Sequence, residues 1–280
     1  MDKPISLSTL FQKTLFRVPD YQRGYSWQYA QCVDFWEDLI NIPKGAKHYT
    51  GMVSLQPIEE LNDNGAWLID DLRYDAFYVV DGQQRLTTSI ILINTLVEYA
   101  KDHKINEDAN GECAIGETNV SDITKQFLYL VRRDGINKGF IFGYEKQDAC
   151  SEYLNNSVIG SSVWDTTKDN YYIKNIRDAK AFFADNVNEY CKSDSKLESA
   201  GKLNDLYERL VYSMSFNVYK IEAQEDVFVT FETMNNRGKK LSNLELLKNR
   251  LIYLSTIFPE HNSYDMPIGV HPQLKSVVTV

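Results

Sequence analysis

The sequence lacks the features that mark secreted, zinc-stabilised and membrane-spanning proteins. Its four cysteines, Cys32, Cys113, Cys150 and Cys191, are scattered without a CxxC pair. This spacing argues against a structural zinc site or a disulfide framework and favours reduced thiols. The longest apolar stretch, residues 89–96, is far shorter than the roughly 20 residues that span a bilayer. The N-terminus has no apolar segment of a secretory signal. We therefore expect a cytoplasmic protein that has no membrane partner.

Common catalytic signatures are also absent. The four histidines are far apart and show no HxxxH or HxH spacing, which zinc sites commonly use. There is no GxSxG turn, no GxxxxGK[ST] phosphate loop and no GxGxxG dinucleotide fingerprint. The 30 basic and 39 acidic residues give a formal net charge of −9. That balance excludes a generic nucleic-acid coat, although it leaves room for a local basic groove.

Length and hydrophobic patterning predict a globular α+β protein. A chain of 280 residues allows one large or two modest domains. Apolar residues at helical spacing predict helices over 5–16, 29–40, 83–100, 225–234 and 242–258, and helical periods also run through 123–210. Short apolar or alternating runs predict strands over 51–57, 67–69, 77–80 and 212–218.

The segment from Val79 to Thr88 is the sharpest candidate site. An apolar strand runs through Asp81 and Gly82 directly into a helix, and a helix N-terminus at the end of a strand suits a phosphate. Gly82 would let the ligand approach the backbone, Arg85 would grip the anion, and Asp81 would hold a metal ion or a water. Gln83 and Gln84 would orient a nucleophilic water. The alternative is an ordinary strand–turn–helix corner in which Asp81 caps the helix and both glutamines are solvated.

Two further segments combine polar and aromatic residues. Between Pro19 and Trp27, aromatic residues alternate with Gln22 and Arg23, a pattern that could stack a base and grip a phosphate. An edge strand with its aromatics in the core explains the same pattern. Asn235, Arg237 and Gly238 lie between two predicted helices, where they could close over a ligand or form a simple loop.

Taken together, these three segments resemble one family. Val18-Pro-Asp-Tyr-Gln-Arg-Gly-Tyr-Ser-Trp27 is similar to its VPxYQRxYxW box, and residues 81–88 are similar to its DGQQRLTT box. The stretch from Phe231 to Asn249 is similar to its FxxxNxRGxxL…LK box. These are the boxes of the GmrSD-type restriction-endonuclease N-terminal domain. The resemblance covers about residues 5–258.

The resemblance implies a ParB/sulfiredoxin-like α+β fold, with a small mixed sheet and helices followed by a mainly helical region. We expect a nucleotide-binding core over 1–103, a mainly helical region with one returning strand over 104–258 that completes the same domain, and an irregular tail over 259–280. Family members hydrolyse nucleoside triphosphates (NTPs) and act in defence against phage DNA that carries modifications.

Carried over to this sequence, the family motifs imply three groups of site residues. The hydrolytic group is Asp81, Gln83, Gln84 and Arg85, with Asp81 as a possible Mg²⁺ ligand. The nucleotide-binding group is Gly82, Thr87, Thr88, Arg23, Asn235, Arg237 and Gly238. The group that would sense DNA or a modified base is Tyr21, Gln22, Tyr25 and Trp27.

The resemblance also implies a nuclease partner. Full-length members often carry a C-terminal HNH nuclease domain, and the residues after 258 are too few for one. We therefore expect no nuclease activity in this chain and a separate or C-terminal nuclease as its partner, beside the NTP and modified DNA. The main alternative is a non-hydrolysing nucleotide or DNA sensor that regulates that nuclease. A sulfiredoxin-like enzyme is disfavoured, because its corner needs a cysteine where this sequence has Gln83 and Gln84.

Overall fold

The computed structural model describes residues 3–58, 74–132, 135–145, 148–160 and 163–221, together with Leu247 and Leu251. The chain divides into two compact units. The first comprises residues 1–20 and 24–223, and the second comprises 21–23 and 224–280. In the second unit, Gln22 is buried, Tyr21 and Arg23 are half-buried, and Leu247 and Leu251 are helical and exposed.

Several predictions lie outside the described residues. They are the strand over 67–69, the helix over 225–234, the nucleotide-binding residues Asn235, Arg237 and Gly238, and the tail over 259–280.

The first unit is built on a mixed six-stranded sheet. The strands of the described residues are β1 (Ile5–Ser6), β2 (Thr14–Val18), β3 (His48–Pro57), β4 (Asp75–Asp81), β5 (Ala114–Ile115), β6 (Thr118–Asn119), β7 (Tyr129–Val131), β8 (Lys138–Phe140), β9 (Phe142–Tyr144) and β10 (Met214–Lys220). The main sheet has the order β1-β10-β3-β4-β2-β9. Within it, β3 is antiparallel to β4, and β2 is parallel to both β4 and β9. The two short hairpins β5–β6 and β7–β8 lie outside it.

Seven α-helices occur among the described residues. They are α1 (Leu7–Leu10), α2 (Tyr29–Ile40), α3 (Gln83–Asp102), α4 (Val120–Ile123), α5 (Ala149–Glu152), α6 (Tyr171–Cys191) and α7 (Lys196–Glu208). Turns of π-helix follow α4, α5 and α7 at Thr124–Leu128, Tyr153–Ile159 and Arg209–Ser213, and a short 3₁₀ turn covers Thr166–Lys168. The predicted α+β class is therefore confirmed. In the described part of the chain, every helix is too short or too polar to cross a bilayer.

Helix α3 is the central helix of the first unit. Leu86, Ile90 and Ile93 on its predicted apolar face are fully buried, and burial extends around most of its circumference. A helix that is buried on nearly all sides belongs to the interior of a domain. Only Gly82 separates its first residue, Gln83, from the end of β4, so the corner between β4 and α3 is anchored from both sides. All four cysteines of the chain are buried free thiols.

Two predictions about local structure are wrong. The helix predicted over 5–16 is confined to Leu7–Leu10, and Thr14–Val18 is a strand of the main sheet. Strands β7, β8 and β9 lie within the region of helical periods. Strands β2 and β9 pair with strands that are distant along the chain, whereas β7 and β8 pair with each other as a hairpin. In each case strand pairing overrides a local pattern that suits helix and strand alike.

Candidate functional site

The predicted strand–turn–helix corner is present at the junction of β4 and α3. Strand β4 ends at Asp81, Gly82 has a φ of +93°, and α3 begins at Gln83. Gly82 is required for two reasons. Its φ lies in the left-handed region that glycine adopts without a steric penalty. A Cβ atom at this position would also come within 3.0 Å of Val53 Cγ2 and 3.1 Å of the Met52 carbonyl oxygen.

The N-cap residue of α3 is Gly82, which has no side chain that could accept a hydrogen bond from the first turn. Asp81, which the sequence offered as the cap, is instead the last residue of β4. The first N–H groups of an α-helix have no intrahelical acceptor and carry the positive end of the helix dipole. This end of α3 can therefore accept an anion.

Arg85 joins the first turn of α3 to strand β3. Its Nη1 donates to the carbonyl oxygen of Thr50 at 3.2 Å, and its Nη2 donates to that of Met52 at 2.8 Å. Nη2 also lies 3.7 Å from Asp81 Oδ2, and both side chains are about a quarter exposed. Gly51 makes room for the guanidinium, because a Cβ there would lie 1.8 Å from Nη1. The result is a largely buried ion pair that β3 holds in place.

Gln84 joins α3 to the aromatic segment Gly24–Trp27. Its Oε1 accepts hydrogen bonds from the backbone N–H groups of Ser26 at 2.7 Å and Trp27 at 3.3 Å. Its Nε2 donates to the carbonyl oxygen of Gly24 at 3.1 Å. The oxygen and the nitrogen of the amide thus both form hydrogen bonds with the backbone, in the way that the backbone of a neighbouring strand does. In this structure Gln84 acts as a positioning residue for the segment rather than as a free ligand for water.

Four side chains of the two motifs, those of Tyr25, Gln83, Thr87 and Thr88, lie in the interior. Tyr25 is fully buried, and its hydroxyl lies 2.8 Å from the Thr88 hydroxyl. Burial raises the pKa of Tyr25 well above its ordinary value. Thr87 is 1% exposed and donates to the Gln83 carbonyl oxygen at 2.8 Å. Gln83 itself is buried. In this conformation these side chains support the corner from inside the core.

Helix α6 holds the aromatic segment from its other side. The Asn175 side-chain amide donates to the carbonyl oxygen of Tyr25 at 3.1 Å. A Cβ at Gly24 would come within 2.7 Å of Tyr172. Trp27 is half-buried and packs edge-on against Phe35 of α2, with ring centroids 6.0 Å apart. Tyr25 and Trp27 are the two candidates for DNA sensing in the first unit, and Trp27 is therefore the more exposed to solvent.

Sequence reasoning found the corner but missed what holds it. The carbonyls that bind Arg85 come from β3, and Asn175 comes from α6. Gly51 was the one available signal, because an isolated glycine inside a strand often marks a close approach by another group. The residue types of Thr50 and Asn175 carried no such signal.

The corner has few side chains that could bind a metal ion, so it fits a metal ion that is bound mainly by the phosphates of a bound molecule. No group of three or more His, Cys, Asp or Glu side chains suited to a metal occurs among the described residues. Mg²⁺ commonly binds through one or two carboxylates, several waters and the phosphates of a substrate. The partly exposed carboxylate of Asp81 meets that requirement only together with a phosphate.

The comparisons with known proteins identify a family. The family model of the GmrSD restriction endonuclease N-terminal domain matches residues 7–252, which is most of the chain. A comparison with curated proteins produced no significant match. The matched region contains β4, α3 and the Gly24–Trp27 segment that Gln84 holds. The chain therefore belongs to the GmrSD restriction-endonuclease N-terminal domain family, a family of restriction-system domains.

Proposed function

We propose that this chain binds and hydrolyses nucleoside triphosphates for a modification-dependent DNA restriction system of anti-phage defence. The observation that carries the proposal is the N-terminus of α3, where Asp81, Gly82 and Arg85 meet and where the N-cap residue is a glycine. Backbone N–H groups at a helix N-terminus and a nearby guanidinium together bind phosphate oxygens well.

Each corner residue has a distinct part in this proposal. Gly82 lets the phosphates approach the backbone, and Arg85 stabilises the negative charge that develops during phosphoryl transfer. Two carbonyl oxygens and Asp81 already orient Arg85. Because a guanidinium has five N–H donors, it can keep both carbonyl contacts and still bind a phosphate. Asp81 would hold Mg²⁺, which supplies charge neutralisation at the phosphates.

The remaining motif residues take supporting parts. Gln83, Thr87 and Thr88 act from the interior, where they maintain the first turns of α3. Tyr21, Gln22, Tyr25 and Trp27 would sense modified DNA, and Arg23, Asn235, Arg237 and Gly238 would contribute to the nucleotide site. The nuclease that cuts the DNA would be a separate or C-terminal HNH domain, and the system would act in the cytoplasm.

One observation favours a second function, that of a non-hydrolysing sensor. Hydrolysis needs a group that orients the attacking water, and both the oxygen and the nitrogen of the Gln84 amide already bond to the backbone of Gly24, Ser26 and Trp27. A bound nucleotide would then report its presence through Gln84 to the aromatic segment, and the partner nuclease would respond without turnover.

Phosphate release from ATP, GTP, CTP and UTP, measured with Mg²⁺ and with or without plain or modified DNA, tests the proposal. We expect Asp81→Asn and Arg85→Ala to abolish release. Asp102→Asn and Lys101→Ala are matched controls, because they make the same changes at the exposed far end of α3, about 30 Å away along a helix of this length. These controls should keep full activity.

The outcomes separate the two functions. Release that needs Asp81 and Arg85 supports the hydrolase. Nucleotide binding without release in the unaltered chain supports the sensor. Equal activity of Arg85→Ala and Lys101→Ala, in proteins with the same thermal stability, would refute the assignment of the corner.

A further inference from the structure

A cleft of about 340 Å³ opens between α2 and α6, on elements that do not form the corner. It is lined by Tyr29, Trp36 and Glu37 from α2 and by Phe182, Asp185 and Asn186 from α6. Its volume is at the lower end of the range for ligand pockets, roughly 300–1,000 Å³. A space of this size fits one side chain or one small molecule.

The walls of the cleft are aromatic. The rings of Tyr29 and Phe182 meet edge to face, with centroids 5.4 Å apart and planes at 85°. Tyr29 is 73% exposed, which is unusually high for a tyrosine that packs against another ring. Trp36 is 7% exposed and forms the buried part of the lining. Aromatic faces carry negative charge density and attract cations.

The charged side chains that line the cleft are two carboxylates. Glu37 and Asp185 are exposed carboxylates, and neither forms an ion pair with any cation in the described part of the chain. Asn186 donates its Nδ2 to the Phe182 carbonyl oxygen at 2.8 Å, which leaves its amide oxygen to accept. The charged residues of α2 are Asp34, Glu37 and Asp38, all acidic. The cleft therefore combines two carboxylates with ring faces.

We propose that this cleft binds the guanidinium of an arginine side chain carried by a partner protein. A guanidinium is planar, stacks on aromatic faces and donates to carboxylates in a fixed fork, whereas an ammonium is a compact and strongly hydrated charge. The rings supply the stacking surface, and Glu37, Asp185 and Asn186 supply the acceptors. This inference does not depend on nucleotide hydrolysis, because none of its residues belongs to the corner.

A titration of the full chain with N-acetyl-arginine amide, followed by NMR of the four tryptophan indole groups, tests the inference. Trp36→Phe identifies the Trp36 signal, and Trp164, which is not part of the cleft lining, is the internal reference. We expect the Trp36 signal to shift and the Trp164 signal to remain. N-acetyl-citrulline amide has the same shape without the charge, and it should bind at least about fivefold more weakly. N-acetyl-lysine amide should also bind more weakly.

Isosteric variants test the contribution of the acceptors. Glu37→Gln combined with Asp185→Asn should weaken binding about threefold to tenfold, since it removes two exposed ion pairs that each contribute modestly. Asp34→Asn combined with Glu189→Gln makes the same charge change on exposed residues of the same two helices outside the cleft lining, and it should leave affinity within about twofold of the unaltered chain. Phe182→Leu should weaken binding about twofold to fivefold through loss of the ring face.

Three results would overturn the inference. Equal binding of the citrulline or lysine compound would remove the guanidinium specificity. An equal loss of affinity in the two double variants would show that long-range charge, and not contact in the cleft, causes the effect. Tighter binding of free arginine than of the blocked amide would assign the cleft to a small molecule instead of a protein partner.

Discussion

Replacing Gln84 with alanine should release the Gly24–Trp27 segment from α3. The substitution removes hydrogen bonds of 2.7 and 3.1 Å and a weaker one of 3.3 Å. A typical hydrogen bond contributes a net 0.5–1.5 kcal/mol, and a buried donor left without an acceptor costs about 1–3 kcal/mol. The N–H group of Ser26 would lose the acceptor that Gln84 supplies, and Ser26 is only 3% exposed. We expect a total loss of about 3 kcal/mol in the free energy of unfolding.

Urea denaturation followed by tryptophan fluorescence measures this loss. The matched control is Gln12→Ala, because Gln12 is exposed and its side chain has no hydrogen bond in the described part of the chain. A substitution of that kind changes stability by about 0.5 kcal/mol or less. The unfolding slope should be equal in the two variants, which shows that the same surface is exposed.

A small effect at Gln84 would refute the reasoning. If Gln84→Ala were within about 0.5 kcal/mol of Gln12→Ala, the amide would not hold the segment. The amide would then be available to orient a water. Its hydrogen bonds would no longer argue against hydrolysis.

Two further predictions concern the surroundings of the corner. Gly51→Ala should lower the free energy of unfolding by at least about 1 kcal/mol more than Gly45→Ala does. Both positions have positive φ, but only at Gly51 would the added Cβ meet Arg85, at 1.8 Å from Nη1. Equal melting temperatures of the two variants would contradict this close approach. Burial raises the pKa of the Cys150 thiol from 9.0 to about 12, so the folded state keeps a proton that the unfolded state loses, and stability falls as pH rises from 9 to about 12. Cys150→Ala should reduce that fall by at most about 1.4 kcal/mol per pH unit. Urea denaturation across this pH range measures the change. An unchanged slope of the free energy of unfolding against pH would show that the thiol ionises in the folded protein.

The strand–turn–helix corner was predictable because its signals are local. The apolar run over 77–80 stops at Asp81 and Gly82, and helical spacing resumes at once after them. The structure confirms the strand as Asp75–Asp81 and the helix as Gln83–Asp102. Helix Tyr29–Ile40 has the predicted bounds for the same reason. Strand Met214–Lys220 also follows its alternating pattern closely.

The segment over 5–16 was not predictable in the same way. Leu7, Leu10, Phe11 and Leu15 fit one helix face, yet Thr14–Val18 pairs in parallel with β4 and β9. The partners in these pairings lie 60 or more residues away along the chain, so their contribution is invisible in a local window. Short apolar runs of this kind take the structure that their distant neighbours allow.

The order of the motifs and the family to which they belong are properties of the linear sequence, because they depend only on which residues occur at which spacing. The sequence alone also determined the β4–α3 corner, since strand, turn and helix propensities act over a few residues. The tertiary structure decided how the motifs work together. It placed Gln84 against residues about 60 positions earlier and Arg85 against carbonyl oxygens of β3. Backbone donors and acceptors look alike at every position, so only the folded chain determines which of them meet a given side chain.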